Sequence, residues 1–174
     1  DGVLAGSIKG ADRIKDDARG AVDAMRSLGI DSITMLTGDE DSVAARVASE
    51  IGVDSYHANL LPEDKVAKVE ALLAATEGRG GGKLLFVGDG INDAPVISRA
   101  DIGVAMGGLG SDAAVEAADV VIMDDKPSKL AAAISVARRT RAIVMQNVAL
   151  ALGIKAVFVV LGIAGTATMW QAVI

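Results

Sequence analysis

Two carboxylates and a carboxamide lie close together directly after a short apolar run. The segment is Gly88-Asp89-Gly90-Ile91-Asn92-Asp93, and the apolar residues 84–87 precede it. Such a run predicts a buried strand, and open α/β sheets bind ligands at the carboxyl ends of their strands. Because Mg²⁺ binds through a few oxygen ligands, we predict that Asp89 holds Mg²⁺. The alternative is a polar turn in which Asn92 or Asp93 caps a helix.

A threonine and a lysine elsewhere in the chain have the chemistry that a phosphoryl group requires. Thr37-Gly38-Asp39 follows the apolar run 30–36 and precedes a predicted helix, whose N-terminus favours anions. Lys65 lies in the first turn of another predicted helix, where a cation is electrostatically unfavourable. A phosphoryl group or an aspartate would compensate this charge. With Asp89, these residues predict a phosphoryl-transfer centre, although Thr37 could simply end a strand and Lys65 could be a surface lysine.

Other kinds of catalytic machinery are not evident. No candidate nucleophile lies beside a base, and His57, the single histidine, is predicted to be a surface or edge residue. The run Gly80-Gly81-Gly82-Lys83 lacks the spacing of a Walker A loop. We therefore expect the nucleophile to lie outside this chain.

The elements that must position these residues alternate between strand and helix patterns. This order predicts an α/β fold, a Rossmann-like parallel sheet with helices on both faces. Predicted strands cover residues 3–8, 30–36, 55–57, 84–87, 101–106 and 119–123. Predicted helices cover residues 11–28, 41–51 and 111–116, a helix from Pro62 through Leu73, and a helix that ends near Arg99.

Composition limits the classes of function. The chain has 174 residues, a net charge of -6, no cysteine and 2% aromatic residues. The acidic balance and the few aromatic rings argue against nucleic-acid binding. The lack of cysteine excludes a thiol nucleophile or thiolate metal site in this segment.

Residues 142–165 are almost wholly apolar. A helix of this length, about 36 Å, crosses a bilayer, and the arginines just before it predict that residues 1–141 are cytoplasmic. Lys155 lies near the middle, where a charge costs at least about 2.5 kcal/mol and needs a partner or a wet cavity. Asn147 and Lys155 share one helical face, which suggests a transport path. The alternatives are a buried core helix and a lysine that reaches the interface.

The chain reads as an internal segment of a longer protein. The change of composition after Pro127 predicts an α/β part at residues 1–126, a helix at 127–145 and a transmembrane helix at 146–165. Residues 166–174 would begin a second membrane helix.

The motifs resemble those of P-type ATPases, within the haloacid-dehalogenase-like superfamily. The resemblance rests on Thr37-Gly38-Asp39, on Pro62 with Lys65, and on the segment from Gly88 to Pro95. It continues through Gly103-Val104-Ala105-Met106-Gly107 and Ala117-Ala118-Asp119-Val120-Val121. The aspartyl-phosphate motif of that family, Asp-Lys-Thr-Gly-Thr, does not occur in this chain.

The resemblance implies that residues 1–126 are the C-terminal part of a phosphorylation domain and that residues 127–145 are a stalk helix. It also implies a role for each matching residue. Thr37 and Lys65 would contact the phosphoryl group, and Asp89 would coordinate Mg²⁺. Asp39, which follows Gly38 in the same motif, would lie near the phosphates of ATP or the hinge. Asn92 and Asp93 would support the phosphate site and its lysine. Asp12 is similar to the hinge aspartate of the family.

The membrane segment resembles the zinc, cadmium and lead branch of the heavy-metal pumps. In that branch a lysine like Lys155 faces an aspartate of the following helix as a counter-charge. The resemblance implies an exporter of Zn²⁺, Cd²⁺ or Pb²⁺ that uses ATP and Mg²⁺ in the plasma or inner membrane. Its partners would be the lipid bilayer and the rest of the pump: the actuator domain, the nucleotide-binding domain and the other transmembrane helices.

Two alternatives remain open from the sequence. A soluble Mg²⁺-dependent phosphatase of the same superfamily can carry a similar Gly-Asp-x-x-Asn-Asp motif, but it needs no apolar segment at 142–165. A non-catalytic segment that keeps the fold without activity is compatible with the pump, because it concerns this chain alone.

Overall fold

The computed structural model describes residues 14–77, 82–88, 91–107 and 112–165 of the chain. The predicted strand at 3–8, Asp12, Asp89 and residues 166–174 lie outside these ranges. The chain divides into two compact units, Asp1–Ala131 and Ala132–Ile174, and each is described by itself.

Helices and strands alternate through the first unit, so the predicted α/β class is confirmed. The elements are α1 (Ala18–Ser27), β1 (Thr34–Leu36), α2 (Asp41–Ile51), β2 (Ser55–His57), α3 (Pro62–Glu77), β3 (Leu85–Gly88), a 3-10 turn (Ile91–Asp93), α4 (Ala94–Ile97), β4 (Ile102–Met106), α5 (Asp112–Ala117), β5 (Val120–Ile122) and the start of α6 (Ser128–Ile163).

All pairings between the described strands are parallel, as predicted. β1 pairs with β2, and β3, β4 and β5 pair in that order, so the described strands form two sheets instead of one. β1 is shorter than the predicted strand 30–36 because β2 offers partners only from Ser55 to His57. The helix predicted to end near Arg99 is instead the 3-10 turn followed by α4.

Small residues allow the core of the β3–β4–β5 sheet to pack closely. Ile97 of α4, Ala105 of β4 and Ala114 of α5 are buried together, and Phe86 of β3 packs against them. A Cβ atom at Gly103 would lie 2.5 Å from the backbone oxygen of Ile97. Glycine at this position therefore allows α4 to lie directly against β4.

Three aspartates fix the starts of strands. Each aspartate directly precedes one strand. Its carboxylate accepts a backbone N–H near the start of the neighbouring strand, and this N–H thereby gains a hydrogen-bond partner. The pairs are Asp54 with Ile33 at 2.7 Å, Asp101 with Leu84 at 2.9 Å and Asp119 with Gly103 at 2.8 Å. Each of these hydrogen bonds thus connects the residue before one strand to the neighbouring parallel strand.

Acid should weaken this arrangement. The Ile33 N–H and then the Arg26 guanidinium lower the pKa of Asp54, and the Lys83 ammonium and then the Leu84 N–H lower the pKa of Asp101. A carboxylate whose pKa is lower in the folded state stabilises the fold above its unfolded pKa and loses this effect as the pH falls.

We expect the urea concentration at the midpoint of unfolding to be constant above about pH 5 and to fall below about pH 4. The double variant Asp54→Asn/Asp101→Asn should flatten that fall, and Asp23→Asn, at an exposed site on α1, should not. An equal acid slope in the double variant would contradict this prediction.

In its described residues the second unit consists almost entirely of helix α6, whose first turn lies in the first unit. α6 runs unbroken from Ser128 to Ile163 over 36 residues, and it is long and apolar enough to cross a membrane. The predicted segments 127–145 and 146–165 therefore lie almost entirely within a single helix. Most of its large apolar side chains are exposed, including Leu152 and Val160.

Candidate functional site

The turn after β1 holds its threonine and aspartate in a closed hydrogen-bonded ring. The Thr37 hydroxyl donates to Asp39 Oδ2 at 2.9 Å, and the Asp39 N–H donates to Thr37 Oγ1 at 3.1 Å. A Cβ atom at Gly38 would lie 3.2 Å from the carbonyl oxygen of Leu60, so glycine allows a second turn to approach here. The three residues predicted from this motif therefore form one compact structure at the carboxyl end of β1.

The second turn follows β2 and is bonded to the first. The Asn59 N–H donates to the Asp39 carbonyl at 2.8 Å, and the Leu60 N–H donates to the Thr37 carbonyl at 3.1 Å. Asn59 has a φ of 54°, the left-handed conformation, which asparagine tolerates better than most residues. Sequence reasoning missed Asn59, although an asparagine between a strand and a helix is a turn signal. These bonds join the carboxyl end of β1 to the start of α3.

α3 begins directly after this turn and carries Lys65 in its first turn. The Asp64 carboxylate accepts the Leu61 N–H at 3.0 Å, which satisfies one backbone donor at the helix start. Lys65 Nζ lies 2.9 Å from Asp93 Oδ1, and the two side chains are 20% and 12% exposed. The cation that was unfavourably placed at a helix N-terminus is therefore compensated by an aspartate, one of the two expected solutions.

Asp93 reaches this position because the residue at the end of β3 is glycine. A Cβ atom at Gly88 would lie 2.7 Å from Asp93 Cβ and 3.0 Å from Asp93 Oδ2. Asp93 itself is 8% exposed. Among the residues that the structure describes, it is the only charged one that is buried. Gly88 thus allows the 3-10 turn to fold back over the strand end and present a buried carboxylate to Lys65.

The remaining predicted residues lie in different places. Asn92 precedes Asp93 in the 3-10 turn and is exposed. Asp12 and Asp89 lie outside the described residues, so their proposed roles rest on the sequence. Within the described ranges no three His, Cys, Asp or Glu side chains form a metal cluster. His57 is half-buried on β2, and burial, with the charge of Lys68 second, lowers its pKa.

Asn147 and Lys155 belong to the second unit. Both lie on α6 and are exposed along it. Their spacing of eight residues places them about 80° apart around the helix axis, since each residue turns the helix by about 100°. The role of these two polar side chains in transport stays a prediction.

The site as described can stabilise an anion. A half-buried ammonium group is held in place by a buried carboxylate. A threonine hydroxyl lies at the end of β1, in a turn whose backbone carbonyls accept N–H groups from the turn before the same helix. Fixed donors and a fixed cation are the groups with which proteins position a phosphoryl group.

Several known proteins are similar to this chain. A family model of haloacid dehalogenase-like hydrolases matches residues 2–101. The zinc-transporting ATPase of Synechocystis sp. is 58% identical over 173 residues, and the cadmium, zinc and cobalt-transporting ATPase of Bacillus subtilis is 59% identical over 172 residues. These matches cover 99% and 97% of this chain and 24% of each relative, so the chain spans about a quarter of their length. A crystal structure of a zinc-transporting PIB-type ATPase in the E2.Pi state matches 93% of this chain and 25% of its own, with a TM-score of 0.83 and 40% identity.

Proposed function

Because the chain belongs to the haloacid dehalogenase-like hydrolases, we propose that it is the phosphate-contacting part, with one membrane helix, of an ATP-driven exporter of Zn²⁺, Cd²⁺ or Pb²⁺. The observation that carries this proposal is the identity of more than half of the residues, over nearly the whole chain, to zinc- and cadmium-transporting ATPases. The paired Lys65 and Asp93 support it, because a positioned cation is what phosphoryl transfer requires.

In this proposal the described residues neutralise and orient the phosphoryl group. Lys65 contacts it with an ammonium group whose direction Asp93 fixes, and Thr37 contacts it through its hydroxyl. Gly38 and Asp39 shape the turn beside the phosphates of ATP, and Asn92 supports the site next to Asp93. Holding these groups in place before the reaction lowers the cost of reorganisation in the transition state.

Magnesium fits this donor set through Asp89. Asp93 is engaged by Lys65 at 2.9 Å, so Asp89 is the carboxylate of the motif that remains for a hard cation. When bound, Mg²⁺ would neutralise charge on the phosphoryl oxygens.

The nucleophile comes from another part of the pump. An aspartate carboxylate outside this chain would attack the γ-phosphorus of ATP, the bond to the β–γ bridging oxygen would break, and ADP would leave. Water would later hydrolyse the aspartyl phosphate. This chain by itself is therefore expected not to hydrolyse ATP, and its partners are the actuator domain, the nucleotide-binding domain and the other transmembrane helices.

α6 would link this chemistry to the bilayer. Residues 1–126 would belong to the phosphorylation domain, 127–145 to the stalk and 146–165 to the membrane span, with 166–174 starting the next helix. Residues 1–141 would face the cytoplasm. Lys155 would supply a counter-charge on the transport path and Asn147 a polar neighbour, and neither would be a metal ligand. The exposed apolar length of α6 supports a pump over a soluble phosphatase.

Transport by the intact pump tests the proposal. Membrane vesicles that carry the wild-type pump should accumulate Zn²⁺ or Cd²⁺ when ATP is added, and Lys155→Ala should reduce the metal-dependent rate roughly tenfold or more while phosphorylation by inorganic phosphate persists. Gln146→Ala is the matched control, because Gln146 lies about 180° around the helix from Lys155 and should behave like the wild type. Absence of metal uptake by the wild type would refute the proposed function, and full uptake by Lys155→Ala would refute the role of the lysine.

A further inference from the structure

The first turn of the long helix α6 lies within the first unit. Leu130 and Ala131 are the buried residues of its 36, and they lie in the last residues of the first unit. The helix then continues without interruption to Ile163. The first turn of α6 is therefore the part of this helix whose contacts within the first unit can be described.

An aspartate far away in sequence caps the start of α6. The Ser128 N–H donates to Asp17 Oδ2 at 3.0 Å, across 111 residues of sequence. The first N–H groups of a helix have no partner within the helix, and a carboxylate there also interacts favourably with the helix dipole. Asp17 directly precedes α1, yet its side chain makes no capping hydrogen bond to α1. The Asp17 carboxylate therefore caps α6 and not α1, the helix that it precedes.

An ion pair reinforces the same connection. Lys15, two residues before Asp17, pairs with Asp125 in the turn that leads into α6. Lys129 in the first turn of α6 lies 3.7 Å from Asp124. The hydrogen bonds from the backbone and then the side chain of Ser128 lower the pKa of Asp17, which favours the ionised form of the carboxylate. Two residues just before α1 therefore contact the start of α6: Lys15 pairs with Asp125 in the turn before α6, and Asp17 accepts the N–H of Ser128, the first residue of α6.

We propose that Asp17, supported by Lys15, is a positioning residue that couples the phosphate-contacting unit to the membrane helix. The proposal rests on the proposed function. Because α6 is one unbroken helix, a shift of its first turn is carried along its length. Without the cap, that turn would fray, and movement of the first unit would no longer be passed fully to the helix.

Hydrogen–deuterium exchange of the intact pump tests the physical contact without reference to activity. In Asp17→Ala the amides of residues 128–131 should exchange about fivefold faster than in the wild type, the effect of losing one helix cap. Asp17→Asn should restore most of the protection, because the amide oxygen can still accept the Ser128 N–H. Asp23→Ala, at an exposed aspartate within α1, is the matched control and should leave this peptide unchanged. Unchanged exchange in Asp17→Ala would overturn the proposal.

The coupling itself is measured as metal transported per ATP hydrolysed. Asp17→Ala should keep its phosphoenzyme level within roughly twofold of the wild type, while the transport ratio falls roughly fivefold. Faster exchange with an unchanged ratio would overturn the coupling role. If Asp17→Ala fails to fold, the ion pair of Lys15 with Asp125 provides the test. Asp125→Lys should lower the ratio of metal transported to ATP hydrolysed, and the charge swap Lys15→Asp/Asp125→Lys should restore that ratio. Failure of both effects would also overturn the proposal. A wild-type pump that forms no phosphoenzyme would instead refute the proposed function, and the exchange result would separate the two failures.

Discussion

Replacing Asp93 with alanine in the intact pump is expected to slow phosphoenzyme formation roughly 100-fold, because Lys65 loses the carboxylate that directs it. The pair is 2.9 Å apart, and its side chains are only 20% and 12% exposed. A displacement of about 1 Å in a reacting centre costs a factor of this size. Removing one partner also leaves a half-buried charge unpaired, so the free energy of unfolding should fall by up to about 3 kcal/mol. Acid-quenched phosphorylation kinetics and urea unfolding measure the two effects.

A second lysine–aspartate pair provides the control. Lys83 lies 2.6 Å from Asp101, but its side chain is 70% exposed, and pairs of this kind contribute about 1 kcal/mol or less. Lys83→Ala should therefore phosphorylate like the wild type, whereas Lys65→Ala should resemble Asp93→Ala. Phosphorylation of Asp93→Ala at the wild-type rate would show that Lys65 needs no partner and would contradict the proposed geometry.

Replacing Gly88 with alanine is expected to damage the same site through the backbone. The new methyl group would meet Asp93 Cβ at 2.7 Å, and because that atom is bonded to the backbone, the 3-10 turn itself must move. Overpacking of this kind costs about 1–3 kcal/mol of unfolding free energy. Displacement of Asp93 should also slow phosphoenzyme formation roughly tenfold or more.

Gly20 is the matched control for this substitution. It lies in α1, and a Cβ atom there would have no heavy atom within 4 Å. Gly20→Ala should stabilise the helix by up to about 1 kcal/mol and leave phosphorylation unchanged. Equal thermal unfolding of Gly88→Ala and the wild type, with normal phosphorylation, would contradict the steric role of Gly88.

The sequence predicted the elements and one part of the site well, because strong local signals determine them. The helix predicted at 41–51 matches α2, and the strand at 55–57 matches β2. Lys65 was expected to need compensation because a cation in the first turn of a helix is unfavourable. Its partner could not be chosen from spacing alone, since Asp93 lies 28 residues away and reaches Lys65 only through the packing of α3 against the turn after β3.

Other features depend on contacts that local patterns do not reveal. Asp101 and Asp119 were the first residues of predicted strands, and Asp54 lay between a predicted helix and a predicted strand. Each accepts an N–H near the start of another strand, which no local pattern indicated. Asp17 lay inside the predicted helix 11–28, but α1 starts at Ala18 and the Asp17 carboxylate caps α6. In each case the partner is distant in sequence, so only the tertiary structure identifies it.

Phosphorylation of the intact pump by radiolabelled ATP, measured with and without the transported metal, is the decisive experiment. We expect Zn²⁺ or Cd²⁺ to stimulate incorporation of label in the wild type and in Lys83→Ala, and we expect Lys65→Ala to incorporate little. Label that is independent of metal in the wild type, or equal in Lys65→Ala and Lys83→Ala, would contradict this expectation.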